Sequence, residues 1–227
     1  ADQGDAFGQY NLGLMYELGS GVKRDVAKAI KWYQKAADQG HDRAQNNLGV
    51  KYQTGQGVEQ YFEQAVKWYR KAADQGNIRA QANLATNYAN GQGIKQSYEE
   101  ALKLYRKAAE NGHALAQNNL GMMYEKGQAV EQDDKEAVTW YRKSAEQGNA
   151  WGQYRLGLKY ANGQGVEQNF EEAVEWYARA VHQEHEMAQN ELGLMYANGQ
   201  GVLQNFKTAA RLFRFSANQG YVEAQFH

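Results

Sequence analysis

The side chains with chemistry to offer are few in this sequence of 227 residues. Ser20-Gly21-Val22-Lys23 sets a hydroxyl three residues before an amine that could take its proton, the spacing used by one class of serine acyl-transfer enzymes. There the serine opens a helix, and Ser-Asp-Asn and Lys-Thr-Gly motifs complete the site. Here Ser20 lies between Gly19 and Gly21, and neither companion motif occurs. His41, His113 and His185 share one register and look like a ligand set. On helices spaced about 8 to 10 Å apart they would stand roughly 20 Å from one another, whereas zinc draws its ligands to about 2 Å. Asp5, Asn77 and Asn149 fill the same slot, so a helix-capping role fits all six. His182, Glu184, His185 and Glu186 form a denser cluster, for which a solvated turn is the better reading than a weak metal site. Gly-x-Gly at Gly19, Gly55, Gly91, Gly163 and Gly199 lacks the third glycine and the preceding strand of a phosphate loop, and reads as a turn. The absence of cysteine excludes disulfides, thiolate metal sites and a cysteine nucleophile. No catalytic residue, metal ligand or cofactor is therefore predicted.

The elements that would position any such residue are set by a repeat. The stretch Ala44 to Val58, AQNNLGVKYQTGQGV, returns every 36 residues. Leu48 has counterparts at Leu12, Leu84, Leu120, Leu156 and Leu192, and Tyr52 at Tyr16, Tyr88, Tyr124, Tyr160 and Tyr196. Gln45 recurs in the same way from Gln9 to Gln225. Such a period signals a solenoid, whose units bury their apolar faces only by stacking on neighbours. Residues 1–227 read as one array of six units, opening on the tail of a preceding unit and stopping early in a seventh. Ala44, Leu48, Gly49 and Tyr52 fall on one face of a first helix, about residues 41–54, closed by Gly55. A second helix, about residues 62–75, carries Ala65, Val66, Trp68, Tyr69, Ala72 and Ala73 inward. Asp25, Ser97, Asp133, Asn169 and Asn205 are N-cap types for the second helices, Ser97-x-x-Glu100 reads as a capping box, and Tyr61 is the exception. Gly49 and its counterparts would admit a close second helix, answered by Ala65 and Ala72. The fold class expected is all-α, with twelve helices and no strand.

The pattern A-x-x-x-L-G-x-x-Y-x-x-G-x-G-V, followed by A-x-x-W-Y-x-K-A-A-x-x-G, resembles the Sel1-like repeat, a relative of the tetratricopeptide repeat, over essentially the whole chain. The resemblance implies an α/α superhelical solenoid acting as a non-catalytic scaffold that binds a protein or peptide in its concave groove. It also implies a bacterial protein with a periplasmic or secreted location, a cytoplasmic one being the alternative. By resemblance the concave wall uses the frame positions of Arg43, Asn46, Asn47, Val50 and Thr54. Asn47, Asn83 and Asn119 would then form an asparagine ladder for a peptide backbone, continued by Arg155, with Arg43 and Arg79 beside it. An ordinary Asn-Leu-Gly form of the repeat explains the same residues without a ligand.

At the position of Arg43 the array turns apolar, with Leu115, Trp151 and Met187. Together with Tyr154, Leu158, Met122 and Leu194 these make an apolar patch on the last three units, an expected interface. The alternative is that curvature buries them against one another. Other classes fit less well. A net charge of -1, from 25 basic and 26 acidic residues, lacks the basic footprint of a nucleic-acid or RNA binder. No apolar run reaches the roughly 18 residues of a membrane span. A hydrolase of the β-lactamase type rests on Ser20 and Lys23 alone. Uncovered apolar surface at the ends of the array predicts self-association there.

Overall fold

Helix boundaries follow from a start and a stop signal at fixed spacing. The computed structural model describes residues 4–219. The helices are α1 (Ala6–Leu18), α2 (Val26–Asp38), α3 (Asp42–Thr54), α4 (Phe62–Asp74), α5 (Ile78–Asn90) and α6 (Tyr98–Glu110), then α7 (Ala114–Lys126), α8 (Asp134–Glu146), α9 (Ala150–Asn162), α10 (Phe170–Val181), α11 (Glu186–Asn198) and α12 (Phe206–Asn218). No strand occurs among the described residues, and the all-α solenoid class read from the repeat is the observed one. The start of the seventh unit at Tyr221 lies outside the described residues. Each odd-numbered helix stops at a left-handed glycine, Gly19 through Gly199, with φ between 64° and 76°, a conformation that costs glycine nothing. The histidines cap as expected: Nδ1 of His41, His113 and His185 accepts from Ala44, Ala116 and Ala188 N–H at 3.2 to 3.3 Å. Asp25, Ser97, Asp133, Asn169 and Asn205 cap the even-numbered helices, and Tyr61 makes no side-chain cap. The capping box at Ser97 is only half formed. Ser97 Oγ accepts from Glu100 N–H, but the Glu100 carboxylate turns to Lys103 and the Ser97 N–H donates to the Tyr88 carbonyl.

The chain divides into two compact units, Ala1–Asn111 and Gly112–His227. Unit 1 contains the pairs α1/α2, α3/α4 and α5/α6, and unit 2 the pairs α7/α8, α9/α10 and α11/α12. Within a pair, a tyrosine of the second helix presses its ring onto the glycine of the first. A Cβ on Gly13, Gly121 or Gly157 would stand 2.6 to 2.7 Å from the ring of Tyr33, Tyr141 or Tyr177. Gly49 meets Tyr69 in the same way, so the glycine makes room first for an aromatic ring, and at Gly13 and Gly121 also for the backbone carbonyl of Ala29 and Ala137, the counterparts of Ala65, as expected. Those tyrosines are essentially fully buried. The tyrosines at the frame position of Tyr52 are mostly half-buried, Tyr160 being the buried one. Their backbone carbonyls accept the N–H of the residue capping the next helix, from Asp25 to Tyr16 through Asn205 to Tyr196.

Two polar ties add to this packing, one between the helices of a pair and one between successive pairs of a unit. A glutamine ending a second helix donates to the glutamine of the preceding first helix: Gln39 to Gln9, Gln75 to Gln45, Gln147 to Gln117, Gln183 to Gln153 and Gln219 to Gln189, at 2.6 to 3.1 Å. The second tie is ionic. Lys51 on α3 reaches back to Glu17 on α1, and Lys159 on α9 reaches Glu125 on α7 at 2.7 Å. Both lysine side chains are 5% exposed or less, so each depends on its carboxylate.

Candidate interaction surface

The odd-numbered helices of unit 1 carry the polar part of the expected wall. Arg43 and Arg79 are exposed, while Asn47 and Asn83 are half-buried. The amides are already engaged with each other. Asn47 Oδ1 accepts from Asn46, and Asn83 donates to Asn46 Oδ1 at 3.1 Å. Asn119 on α7 of unit 2 likewise accepts from Asn118, also at 3.1 Å.

On α7, α9 and α11 of unit 2 the apolar expectation divides. Leu115 and Trp151, at matching positions of α7 and α9, are 41% and 42% exposed. Leu158, Met122, Met187 and Leu194 are half-buried, the first three against the core of the unit. Tyr154 requires a correction. It is 8% exposed, because its ring is enclosed by Trp151, Tyr177 and His185, whose centroids lie 6.4, 6.2 and 4.9 Å away. Open and covered readings of the patch thus each describe part of it.

Arg155 is half-buried and committed within the protein, 3.4 Å from Glu125 and over the ring of Tyr141. Glu125 also accepts from Tyr141 Oη at 2.6 Å, and Lys159 bridges on to Asp134 at 2.7 Å. Burial pushes the Glu125 carboxyl up, but the hydrogen bonds from Lys159 and Tyr141 and the charges of Lys159 and Arg155 outweigh it, leaving the carboxyl below its ordinary range. Glu17 repeats this balance with Lys51 and Tyr33. For His41 and His185 burial lowers the basicity of the ring, so neutral imidazole is favoured.

One arrangement escaped the sequence reading. Phe7 and Tyr10 bracket His41, and Trp151 and Tyr154 bracket His185. The signal was present in the register, since an aromatic pair three residues apart precedes a histidine by the same spacing at both places. The hydrolase alternative finds no support: Ser20 and Lys23 are both exposed, in the turn that connects α1 and α2. Among the described residues no group of three or more His, Asp or Glu could hold a metal ion. No described helix is long and apolar enough to cross a membrane.

The Sel1 repeat model matches residues 6–41, 42–77, 78–113, 114–149, 152–185 and 186–221. Among solved structures, the chain is similar to a protective antigen present in uropathogenic Escherichia coli strains and displaying an SLR fold. Identity is 40% over 99% of this chain and 48% of that one, with a TM-score of 0.87. The chain thus spans about half the length of that antigen. A Sel1 repeat protein from Oxalobacter formigenes is 33% identical over 94% of this chain and 86% of its own, with a TM-score of 0.88. An immunity protein from Pseudomonas aeruginosa, 22% identical over 96% of this chain and 81% of that one, shares the fold at a TM-score of 0.59. No curated protein sequence matches. Sel1 repeat proteins are in general protein-interaction scaffolds that bind protein partners. With six consecutive matches covering nearly the whole sequence, the chain belongs to the Sel1 repeat family.

Proposed function

We propose that this protein is a non-catalytic scaffold that binds a protein or peptide on its odd-numbered helices, with the apolar anchors in unit 2. The observation that carries this reading is the exposure of Leu115 and Trp151 at matching positions of α7 and α9, where large apolar groups would otherwise be buried. Aromatic side chains give large contact area at low entropic cost and dominate many interfaces. In unit 1, Arg43 and Arg79 would steer an acidic segment in a salt-dependent way, and Asn47 and Asn83 would exchange their present amide contacts for a peptide backbone. In unit 2, Leu158 and Asn119 flank the anchors, while Tyr154 and Arg155 act from below by holding the wall. The resemblance to a protective antigen of a pathogenic bacterium supports a periplasmic or secreted location.

The test is a pull-down from bacterial envelope extract, followed by reconstitution with the purified partner. Trp151→Ala is expected to weaken that complex at least about thirtyfold, roughly 2 kcal/mol, with a nearly unchanged melting temperature. Binding indifferent to Trp151 and Leu115 but lost on reversing Lys31 or Lys67 would move the interface to the even-numbered helices.

A further inference from the structure

His185 is both a helix cap and a donor with nowhere to donate. Its Nδ1 accepts the Ala188 N–H at 3.3 Å, which leaves the proton of the neutral ring on Nε2. That nitrogen is buried and has no hydrogen-bond partner. The residue as a whole is 9% exposed. Tyr154 stacks on the imidazole at 4.9 Å and 26°, and Trp151 meets it edge-to-face at 4.5 Å and 80°. His41 in unit 1 repeats every feature. It caps Ala44 through Nδ1, stacks on Tyr10 at 4.5 Å, meets Phe7 edge-to-face at 4.8 Å, and leaves Nε2 without a partner.

Capping does not require this arrangement. Asn77 and Asn149 fill the same slot and cap Ala80 and Gly152 with an amide oxygen at 2.9 Å. An amide cap also has a donor, and Asn77 gives its own to Asp42 at 2.8 Å; what the imidazole adds is a ring N–H held without a partner beneath an aromatic side chain. In unit 2 that cover is itself two-fifths exposed, so a change of rotamer would uncover His185 and the edge of Tyr154 beneath it and nothing deeper.

We propose that Trp151 is a movable cover over His185 and that the Nε2–H of His185 receives a main-chain carbonyl oxygen of an uncharged, apolar peptide segment. An apolar side chain of that segment lies against Trp151 and Leu115. The reading rests on the scaffold function proposed above and names a subsite within it. Charge favours a neutral acceptor over a carboxylate. Arg155, the cation that acts on His185, is already paired with Glu125, and Lys159 is shared between Glu125 and Asp134. Glu191 adds negative charge beside Tyr177, which packs on Tyr154.

The probe is an array of decapeptides, acetylated and amidated, graded in apolar content, with free-acid copies of each. Apolar capped peptides are expected to bind the full chain, and free acids no better. His185→Asn keeps a cap of the kind seen at Asn149 but removes the ring donor, and is expected to weaken binding at least tenfold with little change in melting temperature. His113→Asn, at a capping histidine outside the two brackets, is expected to leave binding unchanged. In the unmodified protein, the best-binding peptide should shift the NMR resonance of the His185 Nε2–H, whatever the behaviour of the variants. An unmoved resonance, binding unaffected by His185→Asn, a requirement for a free carboxylate, or no binding up to millimolar peptide would each overturn the subsite. Should Trp151→Ala abolish binding while His185→Asn does not, the wall remains the interface and the donor assignment alone fails.

Discussion

Glu125 shows how a single residue couples neighbouring repeats. Its carboxylate holds Lys159, Tyr141 and Arg155 together, and Lys159 is buried to 3% exposure with Asp134 as its second partner. Removing one member of a buried pair leaves an uncompensated charge, whereas replacing both by apolar groups is often close to neutral. The sequence contains the apolar alternative, Ala161 with Met195 in the same frame one unit later. Glu125→Ala is therefore expected to cost about 3 kcal/mol, and Glu125→Ala with Lys159→Met far less, in a double-mutant cycle read by urea unfolding. Additive losses would show that the two side chains are not coupled. The pH dependence has a definite sign. The folded-state pKa of Glu125 lies below the unfolded value, so its stabilisation is complete above the ordinary carboxylate range and is lost as pH falls through the folded pKa. The double variant should thus lose less stability than the parent between about pH 5 and pH 2.

At the scale of the element, thirteen-residue helices are marginal in isolation, and packing and ties between helices must hold them. The glutamine tie fails at one place and reveals its own geometry. Gln81 on α5 is 1% exposed, and its Oε1 has no partner. The residue that would reach it is Asn111 after α6, one methylene shorter than glutamine, and its amide bonds instead to the Lys107 carbonyl at 2.8 Å. Asn111→Gln should restore the bond and stabilise the protein by about 1 kcal/mol, the net worth of a hydrogen bond to a buried orphan. An unchanged or lower denaturation midpoint would mean that the longer amide does not reach Gln81.

For the whole molecule, the relevant observation is where large apolar side chains remain in water. Phe7 and Leu18 on α1 are each 70% exposed, and Leu203, Phe206 and Phe215 in and before α12 are 91%, 68% and 49% exposed. Phe206 stands where a following unit half-buries its counterparts Phe62, Tyr98 and Phe170, whereas Leu18, Leu203 and Phe215 place large apolar groups at positions that are polar and exposed in the other units. Copies of this chain are accordingly expected to associate through these residues, giving a scattering mass that rises with concentration. Leu18→Gln combined with Leu203→Gln and Phe206→Gln should return the mass to that of a monomer. A parent that is strictly monomeric across the range would count against the association.

The sequence by itself determined the helices. Caps, glycine stops and apolar spacing act within one turn of chain, so the boundaries of α3 and α4 came within a residue of the expected ones, and the histidine caps were legible from Asp5, Asn77 and Asn149. Arg43, Arg79, Leu115 and Trp151, assigned to a wall by the family resemblance alone, are exposed, and their part in binding is the proposal made above. Tertiary structure alone decided what each side chain meets on another helix. Tyr33 and Tyr141 fill the glycine notches, Lys51 and Lys159 lie buried on carboxylates 34 residues earlier, and Tyr154 is enclosed by His185 rather than open to solvent. These contacts join residues tens of positions apart, where local propensity carries no information and packing selects the partner.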